Sequence, residues 1–275
     1  MAKNEKTAQV EKNFEIIDMH QHLPSADVKG ERMLEAMDRA GIRRCVLHAL
    51  PEKVVYMASN KQILDVIQHR PERFVGSIYI DPRYGQKAIE QIGTFHDYGI
   101  RFIKMIPAFG YYPDDEALFP VFQAAEDRKM AILFHMGFIT ANHKEEERAA
   151  GIYLQSKYGE PFRLDLPARR FGGCKLIIAH MGAPWYYQAF FMSKYHDNVY
   201  ADCCGTGKFA FEEIRGKSFS PDWDKIFWGN DGPAEKYEKK LSSLSECMAE
   251  YCPGGVEEKI LRANPVSFLK ELGIG

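Results

Sequence analysis

Five side chains that suit metal coordination follow short apolar runs of the sequence. They are His20, His22, His135, His180 and Asp231. Neutral imidazole and carboxylate are the usual protein ligands of Zn²⁺, and they also suit Mn²⁺ and Fe²⁺. A single histidine at the end of a strand is usually structural, but five such residues on one rim of a fold would converge. We therefore predict a metal site that holds Zn²⁺, with Mn²⁺ or Fe²⁺ as alternatives.

The spacing within "IIDMHQH" (16–22) is that of a strand whose alternate residues face the same way. Residues i and i+2 of a strand share a face, so His20 and His22 both point to the site while Gln21 points away. The same alternation predicts that Asp18 shares their face, as a structural carboxylate or as a support for a ligand.

Short apolar runs rich in Ile, Val, Phe and Tyr alternate with amphipathic stretches along the chain. Strands are predicted at 14–20, 44–50, 73–80, 100–106, 130–136, 175–181, 198–204 and 225–231. Helices are predicted at 30–41, 60–71, 114–129 and 234–252, with a terminal helix pair broken near Pro265 at 256–273. Apolar residues on both faces of the strands suit a parallel sheet that helices cover on both sides.

Eight strand–helix units in about 250 residues match the size of a (β/α)8 TIM barrel, an α/β fold. The alternative, an open doubly wound sheet, usually has a Gly-rich loop after its first strand, and "DMHQHLP" lacks one. We expect a polar tail at 1–13 and one barrel domain at 14–275 with extra C-terminal helices. The five polar residues then share the C-terminal rim, where such barrels place their chemistry. The long connection at 138–160 is expected to form a lid or a substrate wall.

Composition limits the classes of partner. The 275 residues carry a net charge of −2 and are 45% hydrophobic, without a long basic run, so we expect neither nucleic-acid nor membrane binding. An apolar run of about 18 residues is also missing, and the polar start resembles no signal peptide, which makes a cytoplasmic location the default. We expect all six cysteines to be reduced.

Taken in order, the motifs resemble the amidohydrolase superfamily, and most closely its amidohydrolase-2 branch of metal-dependent hydrolases and decarboxylases. The motifs that carry the resemblance are "DMHQH" on strand one, "HMG" after strand five, "AHMGAP" after strand six and "GNDGP" after strand eight. The segments "LDLPARRFGGCKLIIAHMG" and "ILRANPVSFL" are also similar, so the likeness runs from Phe14 to Leu269.

This resemblance implies roles for the rim residues. His20, His22, His135 and Asp231 become metal ligands, with one metal favoured over two. Asp231 also becomes the catalytic proton carrier. His180 becomes a second-metal ligand or a catalytic residue that contacts substrate and orients water. Asn230 stands where the family usually has Thr or Ser, which changes the surroundings of the ligand and not the ligand itself.

Four residues are candidates for substrate binding. Lys104 near the end of strand four either reaches a substrate carboxylate, pairs with a charge inside the rim, or bridges two metals as a carboxylated lysine. Arg148 and His143 lie in the long loop after strand five, and Arg148 could bind a carboxylate. Trp185 follows the strand-six motif and could wall a pocket, or else belong to a helix core.

Three further residues have both a site role and a structural one. His48 ends strand two, and Asp202 and Cys204 follow each other closely in "VYADCC" on strand seven. Asp202 could anchor a ligand histidine, Cys204 could face the pocket, and His48 could line it. A structural role is the alternative for each.

Two reactions fit the predicted site. In the first, a hydrolase acts on a small carbonyl compound (an amide, ester, lactone or activated C–C bond) through a metal-bound hydroxide. In the second, the same site decarboxylates an aromatic or unsaturated acid without an oxidant. A barrel that binds a ligand without turnover is a third alternative. The expected partner is a small-molecule substrate, and the resemblance also implies a homodimer.

Overall fold

A computed structural model describes residues 14–139, 148, 151 and 153–275, and within them the strands form a barrel. Eight parallel strands pair in chain order, each with the next. They are β1 Ile16–Gln21, β2 Ile42–His48, β3 Phe74–Tyr79, β4 Phe102–Met105, β5 Ala131–Phe134, β6 Lys175–Ile178, β7 Val199–Asp202 and β8 Ile226–Phe227. Each overlaps a predicted strand, so the TIM-barrel prediction is confirmed and the open sheet is excluded.

Helices follow the strands on the outside of the barrel. They are α1 Glu31–Ala40, α2 Asn60–His69, α3 Gln86–Asp97, α4 Phe119–Glu126, α5 Asp165–Arg170, α6 Tyr186–Tyr195, α7 Gly207–Ile214, α8 Tyr237–Tyr251, α9 Val256–Glu258 and α10 Asn264–Glu271. Short 3₁₀ turns lie at Pro82–Tyr84, Pro107–Phe109, Glu116–Leu118, Ser156–Gly159, Pro161–Leu164, Ala179–Gly182, Trp223–Lys225 and Ala234–Lys236, and a π turn lies at Lys259–Ala263. The π turn separates α9 from α10, and Pro265 lies in the first turn of α10, so the predicted C-terminal helices are present.

Apolar side chains form two packed regions. Inside the barrel, Ile17, Met19, Phe102, Leu133 and Phe227 belong to one buried cluster. A larger cluster fills the space between the sheet and the helices. Burial on both faces explains why the strands read as continuous apolar runs, and it leaves polar residues to the rim.

A register shift between Asp18 and Gln21 interrupts the regular pairing of β1 with β2. The Asp18 carboxylate therefore leaves the face of His20 and accepts a hydrogen bond from the Tyr237 hydroxyl of α8 at 2.7 Å. Gln21 also contacts Tyr237, through its amide nitrogen at 3.1 Å. The expectation that Asp18 shares the histidine face is wrong, because this irregularity breaks strict alternation.

The segment after β8 closes the barrel against β1. The Met19 amide donates to the Trp228 carbonyl at 3.0 Å, and the Asp231 amide donates to the His20 carbonyl at 2.8 Å. Gly229 lies between these contacts, where a Cβ atom would approach the His20 Cα to 2.9 Å. A glycine is therefore needed for Asp231 to reach the first strand.

The described part of the chain contains neither a membrane-spanning helix nor a disulfide. Among the described residues, no helix has the length and apolarity that crossing a bilayer requires. All six cysteines are free thiols. The N-terminal segment 1–13 and His143 lie outside the described residues, as does most of the connection after β5.

Candidate metal and active site

His20 lies near the end of β1, and each of its two ring nitrogens contacts a polar side chain. Its Nδ1 lies 2.9 Å from Oδ2 of Asp202 on β7, and its Nε2 lies 2.9 Å from Nζ of Lys104 on β4. The carboxylate can only accept, so Nδ1 carries the proton and Nε2 presents its lone pair. An imidazole anchored in this way is oriented as metal-ligating histidines usually are.

His22 and His180 repeat this arrangement with backbone acceptors. His22 Nδ1 lies 2.6 Å from the His48 carbonyl, and His180 Nδ1 lies 3.2 Å from the Cys204 carbonyl. A carbonyl oxygen accepts and never donates, so each Nδ1 is the protonated nitrogen. In both residues the free lone pair is then on Nε2.

The three unprotonated Nε2 atoms surround the Asp231 carboxylate. Their distances to its oxygens are 4.0 Å from His20, 3.6 Å from His22 and 3.5 Å from His180. His180 and Asp231 reach these positions with positive φ, 57° and 38°, which is uncommon for residues other than glycine. Backbone strain of this kind costs on the order of 1–3 kcal/mol per residue and is concentrated at functional sites.

His135 completes the group from β5. Its Nδ1 lies 3.4 Å from His180 Nε2, while its Nε2 is buried and has no hydrogen-bond partner. A buried nitrogen without a partner is costly unless something else occupies its lone pair. The donor set of imidazoles and one carboxylate, with lone pairs left free, fits a divalent metal ion.

The electrostatics keep these groups in the forms that bind metal. Burial lowers the pKa of His22 to about 4, and it lowers the pKa values of His20 and His135 well below the usual range. Burial alone would raise the pKa of Asp231, but the surrounding imidazoles and the Lys104 ammonium outweigh it and hold that pKa well below its usual range. Near neutral pH the imidazoles of His20, His22 and His135 are therefore uncharged, and the Asp231 carboxylate is ionised.

Cys204 touches this site from behind the rings. Its Sγ lies 3.2 Å from His20 Nδ1 and 3.1 Å from His180 Nδ1, and it donates to Oδ1 of Asp202 at 2.6 Å. His20, His180, Cys204 and Asp231 thus form a compact group with potential ligand atoms within 4.8 Å of one another. Burial raises the pKa of the thiol well above its usual range, and its contacts are with the Nδ1 atoms and Asp202, so Cys204 supports the imidazoles from the side opposite their Nε2 atoms.

Asp202 supports the site from several directions. Besides contacting His20, it accepts the backbone amides of His180 at 2.9 Å and Cys204 at 3.2 Å. The structure therefore gives Asp202 the anchoring role over the purely structural one. His48 has a structural position instead, because its Nε2 faces the Met19 carbonyl at 3.1 Å and the residue is buried.

Three of the four predicted substrate-binding residues lie in the described part of the chain, and none of the three lines the pocket that contains His22 and Asp231. Lys104 is 0% exposed and lies beneath His20 rather than at the mouth of a pocket, and burial lowers its pKa. Trp185 is half-buried just before α6, and Arg148 is exposed. Neither of these two lines the pocket that contains the metal-site residues, and His143 lies outside the described residues.

One pocket in the described residues does include metal-site side chains. A cavity of about 300 Å³ is lined by His22, Asp231 and Arg32, together with carbon-rich side chains. Arg32 is not among the site residues predicted from the sequence. Arg32 is the second residue of α1, the helix that follows "DMHQH". Because that helix begins at the same rim as the metal-site residues, its position could have identified Arg32 as a pocket residue.

Two of three comparisons with known proteins found matches to this chain. The family model described as Amidohydrolase matches residues 17–270. No significant match was found among curated proteins.

Solved structures share the fold at low sequence identity. An uncharacterized TIM-barrel protein from Bordetella bronchiseptica is 18% identical, with a TM-score of 0.71 over 94% of this chain and 100% of that one. A manganese-bound 5-carboxyvanillate decarboxylase from Novosphingobium aromaticivorans is 14% identical, with a TM-score of 0.67 over 94% and 98%. A 2,6-dihydroxybenzoate decarboxylase from Rhizobium is 15% identical, with a TM-score of 0.63 over 94% and 99%.

Proposed function

The chain belongs to the amidohydrolase family that its matching model describes, and from this premise we propose that it is a metal-dependent enzyme that hydrolyses a small carbonyl compound. The observation that carries the proposal is the cluster of three imidazole Nε2 lone pairs around one carboxylate. Each of these imidazoles is anchored through Nδ1 to an oxygen acceptor.

His20, His22, His135 and Asp231 would hold one divalent ion, with His180 beside it. Zn²⁺ and Mn²⁺ both suit this donor set, and manganese is bound in the Novosphingobium neighbour. When bound, such an ion polarises a substrate oxygen and acidifies water.

Asp231 supplies the proton-transfer group. It is ionised, and it is 26% exposed in its side chain, so water reaches it. It can therefore accept a proton from a water molecule that attacks the substrate carbonyl, and it can return that proton to the leaving group.

His180 orients the attacking water. Because its Nδ1 proton faces the Cys204 carbonyl, its Nε2 is an acceptor that lies 3.5 Å from Asp231 Oδ2. With its proton on Nδ1, the His180 imidazole presents the Nε2 lone pair toward Asp231, so accepting a hydrogen bond from water is the role that the geometry favours.

Non-oxidative decarboxylation is the second candidate. It is favoured by Arg32, which lines the same pocket as His22 and Asp231 and could bind a carboxylate. Two of the solved structures that share the fold are also named as decarboxylases. In this reaction Asp231 would take a proton from water and deliver it to the carbon that loses CO2, and the hydroxide left behind combines with CO2 as bicarbonate.

Metal analysis and two activity screens test these proposals. Purified protein is analysed for transition metals, then assayed for hydrolysis of esters, lactones and amides and for CO2 release from 2,6-dihydroxybenzoate and 5-carboxyvanillate. Hydrolysis alone supports the first candidate, and CO2 release alone supports the second. Less than about 0.2 equivalent of metal, with no uptake of added Zn²⁺ or Mn²⁺, would contradict both. Metal binding without turnover would favour a binding barrel.

A further inference from the structure

The cavity of about 300 Å³ lies between the segments that follow β1 and β8. His22 and Asp231 connect it to the metal site, and their side chains are 12% and 26% exposed. Pro24, Met33, Met57 and Pro233 supply apolar walls. A space of this size and composition suits a small molecule with a flat or compact apolar body.

Arg32 is the cation that lines this cavity. Across 14–139 and 153–275, the structure shows no carboxylate paired with its exposed guanidinium. Many other arginines do have such a partner. Arg73 pairs with Asp38 at 2.6 Å, for example, and Arg83 pairs with Asp81 at the same distance.

Besides Asp231, two carboxylates line the cavity, and the structure shows neither in an ion pair with Arg32. Asp27 accepts the backbone amides of Arg32 at 3.4 Å and Met33 at 3.0 Å, so its charge stabilises the start of α1. Glu235 is exposed on the far segment and is not within ion-pair distance of Arg32 in the described residues. The guanidinium keeps its hydrogen-bond donors available for a ligand.

We propose that this cavity binds a small organic carboxylate, with Arg32 holding the carboxylate group and the apolar walls holding the body of the molecule. A guanidinium binds a carboxylate through two parallel hydrogen bonds, which a neutral amide cannot reproduce. The proposal rests on the proposed function, because a metal cation at the imidazoles offsets the Asp231 charge that would otherwise repel an anion.

Paired titrations test the proposal. Mn²⁺-loaded protein is titrated with benzoate and with benzamide, which has nearly the same shape and no charge. Arg32→Gln should weaken benzoate binding by about tenfold or more and leave benzamide binding unchanged. Lys29→Gln, which removes an exposed cation from the same segment outside the cavity lining, should change neither. Arg32→Lys should restore part of the benzoate affinity.

Equal effects of Arg32→Gln on benzoate and benzamide would overturn the proposal, as would undetectable benzoate binding to the unmodified protein at millimolar concentrations. Mn²⁺ binding is measured separately on each variant, so a failure of the metal site is seen directly. If the protein binds no Mn²⁺, the proposed function fails. The same titrations on metal-free protein then decide whether Arg32 selects a carboxylate.

Discussion

His20 Nδ1 and Asp202 Oδ2 lie 2.9 Å apart, and this contact between β1 and β7 sets the protonation of the imidazole. The proton is held on Nδ1, so Nε2 presents a lone pair to the interior of the rim, where Lys104 Nζ contacts it at 2.9 Å. The same Asp202 fixes the backbone of His180 through a second oxygen. One buried carboxylate therefore positions two members of the proposed metal site.

Asp202→Asn should reduce metal affinity about 10- to 100-fold. The amide can keep its Oδ1 contacts with the His180 and Cys204 amides, but its Nδ2 would now donate to His20 Nδ1. His20 would then carry its proton on Nε2, where the metal must bind. Isothermal titration with Mn²⁺ measures the change.

The control for this variant is Asp222→Asn, an aspartate that caps the 3₁₀ turn Trp223–Lys225 away from the rim. It should bind Mn²⁺ like the unmodified protein. If Asp202→Asn also binds normally while circular dichroism shows an intact fold, the anchoring role of Asp202 is wrong.

Gly229→Ala should disturb the site through its backbone. The added Cβ would lie 2.8 Å from the His20 amide nitrogen and 2.9 Å from its Cα, so β1 and the segment after β8 must separate. We expect a loss of about 1–3 kcal/mol of stability together with weaker metal binding. Gly172→Ala is the matched control, since no atom lies within 4 Å of its added Cβ. If both variants unfold at nearly the same temperature as the unmodified protein, the close approach of the two segments does not require glycine at position 229.

His22→Gln should change how stability depends on pH in metal-free protein. Burial lowers the pKa of His22 in the folded state from 6.5 to about 4, so the unfolded chain binds more protons between these values. Stability contributed by the neutral ring is present above pH 6.5 and is lost as the pH falls toward 4. The unfolding midpoint should therefore fall less steeply over this range in His22→Gln than in the unmodified protein. The exposed helix residue His69 provides the control substitution, and an unchanged slope in His22→Gln would refute a buried neutral His22.

Lys104→Met tests whether the lysine helps to hold metal. Its ammonium lies 2.9 Å from His20 Nε2, where it opposes the binding of a cation. We expect one metal equivalent per chain before and after the substitution, with affinity unchanged or higher in the variant. Two equivalents in the unmodified protein that fall to one in Lys104→Met would instead identify a carboxylated lysine that bridges two metals.

Much of the fold and the grouping of the rim residues could be predicted from sequence, because both follow from repeated local patterns. Eight apolar runs predicted the strands, and a residue that ends a barrel strand reaches the C-terminal rim. The sequence alone therefore predicts that five residues lie close together on the rim: His20, His22, His135, His180 and Asp231.

Other features depend on geometry that residue types do not encode. The turn of Asp18 toward Tyr237 follows from a register shift in β1, and the His22 anchor is a backbone carbonyl, which any residue at position 48 would supply. Arg32 acquires its place in the cavity only when the segments after β1 and β8 meet. The sequence leaves three roles open for Lys104, and only the structure shows that the pleat of β4 directs it inside the rim, 2.9 Å from His20 Nε2.

The most direct test of the central claim is a Mn²⁺ titration of metal-free protein and of its Asp231→Ala variant, followed by electron paramagnetic resonance of the bound ion. We predict about one bound Mn²⁺ ion per chain in the unmodified protein, and an Mn²⁺ affinity about tenfold weaker or more in a folded Asp231→Ala variant. Absence of Mn²⁺ and Zn²⁺ binding by the unmodified protein, or identical affinity in the variant, would contradict a metal site built from Asp231 and the surrounding imidazoles.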